Sequence, residues 1–171
     1  MKNFMMKICV TVMMSIAVTI LAAERITMSD AVYDGSPEWM REAIRNGGNV
    51  NEVDSMGYTC FMSVVHKQHP AETVRIMIEA GADVHATSSS SGKSALHLAC
   101  ECLSMCIRAE GNEKGCDKIV NMERIVRLLV EAGADVSQQC KIELTPWELV
   151  DIDNGRYLHK LSSDIKKILK G

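Results

Sequence analysis

The chain has 171 residues, with 19 Lys+Arg against 22 Asp+Glu, a formal charge of −3, 47% hydrophobic residues and 4% aromatics. That is one domain's length of ordinary soluble protein, neither disordered nor dense in disulfides. The acidic balance argues against nucleic acid, whose phosphates demand a basic patch, and three prolines with eleven glycines exclude collagen-like or proline-rich chains.

The first element is a removable N-terminus. Lys2 and Lys7 precede an uncharged run of sixteen positions from Ile8 to Ala23, which Glu24 ends. A basic start, an apolar middle and a small closing residue form a secretory signal, with Leu21 and Ala23 at the third and first positions before a cut after Ala23. Spanning a bilayer takes about 20 apolar residues, so residues 1–23 read as a cleavable signal peptide rather than a stable anchor. Met5 to Ala23 lacks the polar face that a core helix needs. Cleavage leaves 17 basic and 22 acidic groups, a charge of −5, and six cysteines: Cys60, Cys100, Cys102, Cys106, Cys116 and Cys140. An even count in an exported chain permits disulfides. No Asn-x-Ser/Thr sequon occurs and no cysteine follows the apolar run, so a periplasmic or secreted bacterial protein is expected.

Beyond residue 24 the apolar spacing repeats. Met28/Ala31/Val32 and Met40/Ala43/Ile44 form a first pair of triplets, and Phe61/Val64/Val65 and Val74/Met77/Ile78 a second. Leu96/Ala99/Cys100 and Val126/Leu129/Val130 follow, then Trp147/Val150/Asp151 and Ile165/Ile168/Leu169. Spacing of i, i+3, i+4 puts three side chains on one helix face, so the chain predicts four pairs of short helices. No pair can hold a core alone; neighbours must stack. Ser36-Pro37, Thr59, Ser94 and Thr145 are suited to start helices. Asn46-Gly47-Gly48-Asn49-Val50, Ala80-Gly81-Ala82-Asp83-Val84 and Ala132-Gly133-Ala134-Asp135-Val136 supply glycine-closed helix ends. Gly47 to Gly81 is 34 residues and Gly81 to Gly133 is 52, which implies an insertion of about 19 on a period of about 33.

With these residues in view, the chain resembles the ankyrin-repeat family. The family's Gly-x-Thr-Pro-Leu-His-x-Ala pattern stands here as Gly57-Tyr58-Thr59-Cys60-Phe61-Met62-Ser63-Val64 and as Gly92-Lys93-Ser94-Ala95-Leu96-His97-Leu98-Ala99. It stands a third time as Glu143-Leu144-Thr145-Pro146-Trp147-Glu148-Leu149-Val150. Cys60 and Ala95 replace proline, Glu143 replaces glycine, and Asp151 takes a normally small apolar position. The resemblance implies an all-α solenoid of about four helix-turn-helix repeats linked by β-hairpin fingers. Their bounds are about 26–51, 52–86, 87–138 with an insertion at 103–121, and 139–171, the first and last acting as caps. Gly57, Thr59, Gly81, Gly92, His97, Gly133, Thr145 and Pro146 carry the structural motif, with His97 bonded to hairpin backbone.

The same chain offers little chemistry. Thr87-Ser88-Ser89-Ser90-Ser91-Gly92-Lys93-Ser94 is similar to a phosphate loop, but Thr87 stands where the first glycine belongs. The gaps among Cys100, Cys102, Cys106 and Cys116 do not form paired zinc ligands. Cys102, Cys106 and Cys116 bracket the insertion, where a bridge from Cys116 to Cys102 or Cys106 would pin a long loop. Cys60 falls at a helix N-terminus, which favours thiolates. His66, His69, His85 and His159 have no carboxylate or cysteine partner at a useful spacing and read as solvated. No nucleophile elbow or metalloprotease motif occurs, and Asp151/Asp153 fall short of a calcium loop. The expectation is no enzyme, no metal and no cofactor.

Binding is then the expected function. As the resemblance implies, protein partners meet the finger tips at Glu52, Val53, Ser55, Met56, Tyr58, Ser89, Lys93, Gln139 and Lys141. His66, Lys67 and Glu101 add the inner-helix face. Met56 and Tyr58 are the adaptable and aromatic anchors that interfaces favour. The chain reads as an exported, non-catalytic protein-protein interaction module, monomeric by itself, with an immunity, inhibitor or accessory role toward an envelope protein. Its acidity predicts a basic protein partner. The alternative is a thiol-based redox or metal-handling protein that uses the cysteine-rich insertion.

Overall fold

The computed structural model describes residues 25–109, 117–152, 156 and 158–170. The signal expected at 1–23 and Cys116 lie outside them. Among the described residues eight α-helices follow in order: α1 (Met28–Asp34), α2 (Pro37–Arg45), α3 (Cys60–His66), α4 (Ala71–Glu79), α5 (Ala95–Ala109), α6 (Asp117–Glu131), α7 (Pro146–Val150) and α8 (Ser163–Lys170). A 3₁₀ turn at Leu158–Lys160 precedes the last.

Short polar side chains set where these helices begin. Thr27 Oγ1 accepts the Asp30 N–H while the Asp30 carboxylate accepts the Thr27 N–H, closing a capping box on α1. Thr145 and Glu148 repeat that box on α7 around Pro146. Ser36 caps α2 ahead of Pro37, and Thr59 caps α3 through the Met62 N–H at 3.1 Å. Ser94 departs from the pattern. Its hydroxyl lies 2.8 Å from His97 Nδ1, which also accepts the Ser94 N–H at 3.2 Å.

Each helix alone has one apolar face, and the faces meet in two rows. Helices α1, α3, α5 and α7 pack side by side as the inner row, with α2, α4, α6 and α8 as the outer row. Phe61, Met77, Leu96, Leu103, Met122 and Leu129 are fully buried in the continuous core between them. The predicted solenoid is therefore the observed one. Its fingers are minimal, closed by single antiparallel bridges from Val53 to Thr59 and from Thr87 to Ser94. The fourth finger turns through the Cys140 N–H to Leu144 C=O bond at 3.1 Å. There Glu143, in place of glycine, adopts φ 60°.

The insertion differs from expectation. Much of 103–121 is helical: α5 and α6 run 15 residues each, against 7 in α3 and 9 in α4. The reason is apolar. Leu103, Ile107, Ile119 and Met122 are buried, and burial of such a side chain contributes about 1.5–3 kcal/mol, which offsets the entropy of ordering its residue. Both neighbouring repeats grip the extension. Cys102 Sγ donates to the His66 carbonyl and Cys106 Sγ to Gln68 Oε1, each at 3.5 Å. From the other side, buried Lys160 donates through Nζ to the Ile107 carbonyl at 2.8 Å. The Ser162 N–H reaches Glu123 Oε1 at 2.7 Å.

The final inner helix is the weak element. α7 stops after five residues at Asp151, whose Oδ1 is buried with no hydrogen-bond partner among the described residues. A carboxylate here displaces the small apolar residue that would let the helix continue against its neighbour.

Candidate protein-binding face

In the second and third repeats the residue before the inner-helix cap meets the residue eight positions later. In the second repeat Tyr58 stacks on His66, with ring centroids 6.1 Å apart and an interplanar angle of 7°. In the third, Lys93 Nζ meets Glu101 Oε2 at 2.7 Å. The same geometry thus carries an aromatic stack in one repeat and an ion pair in the next. Beside His66, Lys67 donates to the Val32 carbonyl at 3.3 Å and holds its ammonium 5.4 Å from the centre of the Tyr33 ring.

Several predicted contact residues are engaged within the molecule. Lys141 donates through Nζ to the carbonyls of Ser89 at 2.6 Å and Ser90 at 3.1 Å, and its N–H bonds the Ser91 carbonyl at 3.0 Å. Fingers three and four are therefore clasped. Ser89 Oγ also occupies the space that a Cβ on Gly57 would need, so finger three lies close against finger two. Gln139 Nε2 closes its own turn on the Glu143 carbonyl. Lower down, Asn51 donates to the Gly81 carbonyl at 3.0 Å and accepts the Asp83 N–H at 2.8 Å, fixing the finger bases. Glu52, Val53, Ser55 and Met56 remain exposed at the second finger, with no side-chain partner among the described residues.

Sequence reasoning missed part of this face. Tyr33 is 83% exposed and Ile152 51%. Both occupy the inner-helix position of His66 and Glu101, so carrying the register into the abbreviated first and last repeats finds them. Met105 is exposed four residues beyond Glu101, hidden from sequence reading because that stretch resembled a loop. Ile142 stands 63% exposed on the fourth finger.

His97 joins this face to the core. With Nδ1 accepting from Ser94, the proton sits on Nε2 and is donated to the Leu144 carbonyl at 3.3 Å, linking the third repeat to the fourth finger. Burial holds its pKa below the usual histidine value. His69 is also structural rather than solvated, with Nε2 3.0 Å from the Val32 carbonyl. Gly57, Gly81, Gly92 and Gly133 all take left-handed backbone, as the motif requires.

Burial favours the protonated form of three thiols, Cys60, Cys100 and Cys102. Burial pushes the Cys102 thiol up to about 11 and raises Cys100 as well. At the start of α3, burial outweighs the helix N-terminus for Cys60, and Glu52 and Asp54 raise it further. Cys102 and Cys106 lie four residues apart on α5; the expected bridge to Cys116 falls outside the described residues. No group of three or more His, Cys, Asp or Glu side chains placed to hold a metal ion occurs among the described residues. No helix there is long and apolar enough to cross a membrane.

The convex side is laced with ion pairs. Arg41 and Arg75 share Glu72, each at 2.7 Å, and Arg75 also meets Glu79 at 2.9 Å. Glu72 and Arg75 border a shallow groove of about 310 Å³ between α4 and α6.

A family model of ankyrin repeats, in three copies, matches residues 28–140. No curated protein sequence matches the chain. Stacked helix pairs, glycine-closed links, bridged fingers and this match agree: the chain belongs to the ankyrin-repeat family, whose members serve as protein-protein interaction modules.

Proposed function

We propose that the chain is an exported, non-catalytic binding protein of the bacterial envelope that occupies and blocks or assists one protein there. The observation that carries the binding role is the pre-built face: clasped fingers and braced inner helices present Tyr33, Val53, Met56 and Tyr58 with little left to order on association. Export rests on the basic, apolar and small-residue pattern of residues 1–23. The inhibitory role rests on small size, one recognition domain and a net acidic surface.

Intact mass of the chain recovered from its native envelope tests export. A mass lacking residues 1–23 is expected, and a retained leader would replace a periplasmic module with a tethered adaptor. Cross-linking through a photoreactive residue at Met56 tests binding. A single basic envelope protein should be captured, and capture should vanish with the probe moved to Arg45 on the convex side. Equal capture at both positions would remove the assignment of the concave face.

A further inference from the structure

The concave face of the first two repeats is apolar and aromatic in a way a lone soluble domain rarely maintains. Tyr33, Val53 and Met56 are each more than half exposed, next to the Tyr58–His66 stack. Apart from Lys67, the charged side chains that border this platform are acidic. Asp34, Glu52 and Asp54 are exposed, and none has a lysine or arginine ion-pair partner among the described residues. Asp34 accepts the Ser36 N–H at 3.0 Å, a bond that favours its charged carboxylate, and Asp54 accepts the N–H groups of Met56 and Tyr58. The lysines of the face all have partners within the chain, Lys93 in Glu101, Lys141 in two carbonyls and Lys67 in the Val32 carbonyl and the Tyr33 ring, although Lys67 and Lys141 stay exposed.

From this we infer that the occupant of the concave face is a basic segment of a protein partner, which lays an arginine against the tyrosine platform while an apolar neighbour packs on Met56. This rests on the protein-binding role proposed above and adds the chemistry of the partner. A guanidinium suits the site because its plane stacks on aromatic rings while its edge pairs with carboxylates, which an ammonium does less well. Lys67 already shows the recognition in miniature, its own cation lying over Tyr33. It is an internal competitor: it weakens the site for an incoming cation.

That competition makes the test directional. Two labelled peptides share one Trp-Leu core, flanked by arginines in one and glutamates in the other. Their binding to the chain expressed in full is followed by fluorescence anisotropy at low and physiological salt. The arginine peptide should bind at least about tenfold tighter than the glutamate peptide at low salt, the gap narrowing as salt screens it. Lys67→Met should tighten the arginine peptide by about fivefold, Glu52→Lys should weaken it by about as much, and Arg124→Ala on the convex side should change nothing. Equal binding of both peptides, abolished by Met56→Ser, would overturn the basic partner yet leave the concave face as a protein-binding site. Arginine-peptide binding indifferent to Met56→Ser and Lys67→Met would overturn both. No binding of the arginine peptide, or weaker binding after Lys67→Met, would overturn the inference.

Discussion

Asn121 caps a helix fifty residues behind it. Its Oδ1 accepts the Ala71 N–H at 2.9 Å while its Nδ2 donates to the His69 carbonyl at 3.0 Å. The need is local: α4 starts after Pro70, which has no side chain able to cap it. The cap therefore comes from the extended outer helix of the next repeat. Asn121→Ala should destabilise by about 1–2 kcal/mol, and Asn121→Asp, which keeps the acceptor and loses the donor, by less. Urea titration checks both, and a neutral Asn121→Ala would mean that α4 does not depend on this contact.

Glu143 holds φ 60° where the family has glycine, and no side-chain partner for it occurs among the described residues. Left-handed backbone costs an ordinary residue about 1 kcal/mol or more, part of which glycine returns as unfolded-state entropy. Glu143→Gly should raise stability by about 0.5–1 kcal/mol, visible as a higher urea midpoint. Asp151→Ala in the same repeat should add a similar gain by removing the orphaned Oδ1.

Gly57 needs its missing side chain twice over. Its φ is 79°, and a Cβ would run into Ser89 Oγ, whereas Gly81 at φ 87° has open space around it. Gly57→Ala should thus cost more than Gly81→Ala, by about 1 kcal/mol, and Ser89→Gly should recover the difference. Thermal melts of the three variants decide it; equal losses would show that Ser89 simply rotates away.

His97 makes stability depend on pH in one direction. Its folded pKa lies below the unfolded value, so the native state resists protonation. The contribution is complete above the unfolded pKa of about 6.5 and is lost as pH falls toward the folded value. The carboxylates with lowered pKa, Asp30 and Glu148 among them, lose their contribution only below about pH 4.5, so pH 5–6.5 isolates the histidine. Stability should fall with acidification across that window by at most about 1.4 kcal/mol per pH unit, and His97→Gln should flatten the slope. An unchanged slope would assign the effect to another group.

The thiols give a chemical check on the redox reading. Cys100 and Cys102 are wholly buried with raised pKa, so iodoacetamide should label them in the native chain far more slowly than in denaturant. Prompt native labelling of either would restore a thiol-based function.

What the sequence disclosed, and what it hid, follows from the range of the interactions. Helix starts at Ser36, Thr59 and Thr145 rest on contacts within three residues, and the stacking face rests on i, i+3, i+4 spacing. Both were legible. The insertion was misread because Gly, Glu and Lys around 110–116 resembled a loop, while Leu103, Ile107, Ile119 and Met122 on either side held the helical pattern. The binding face was half legible. Met56 and Tyr58 follow from register, but register cannot say that Lys141 is clamped to a neighbouring finger or that Lys93 is neutralised. Those contacts join residues that only the fold brings together.

The bracing of the third repeat bears on how such a chain can evolve. Arrays of interchangeable units grow or shrink by duplicating or deleting one module, because each meets only generic neighbours. Here the middle unit is a keystone: its overlong arms are held by Gln68 and His66 on one flank and by Lys160 and Ser162 on the other. Excising it would strand four matched attachments at once, so the unit count is locked and the whole array should melt together rather than fray inward from its ends.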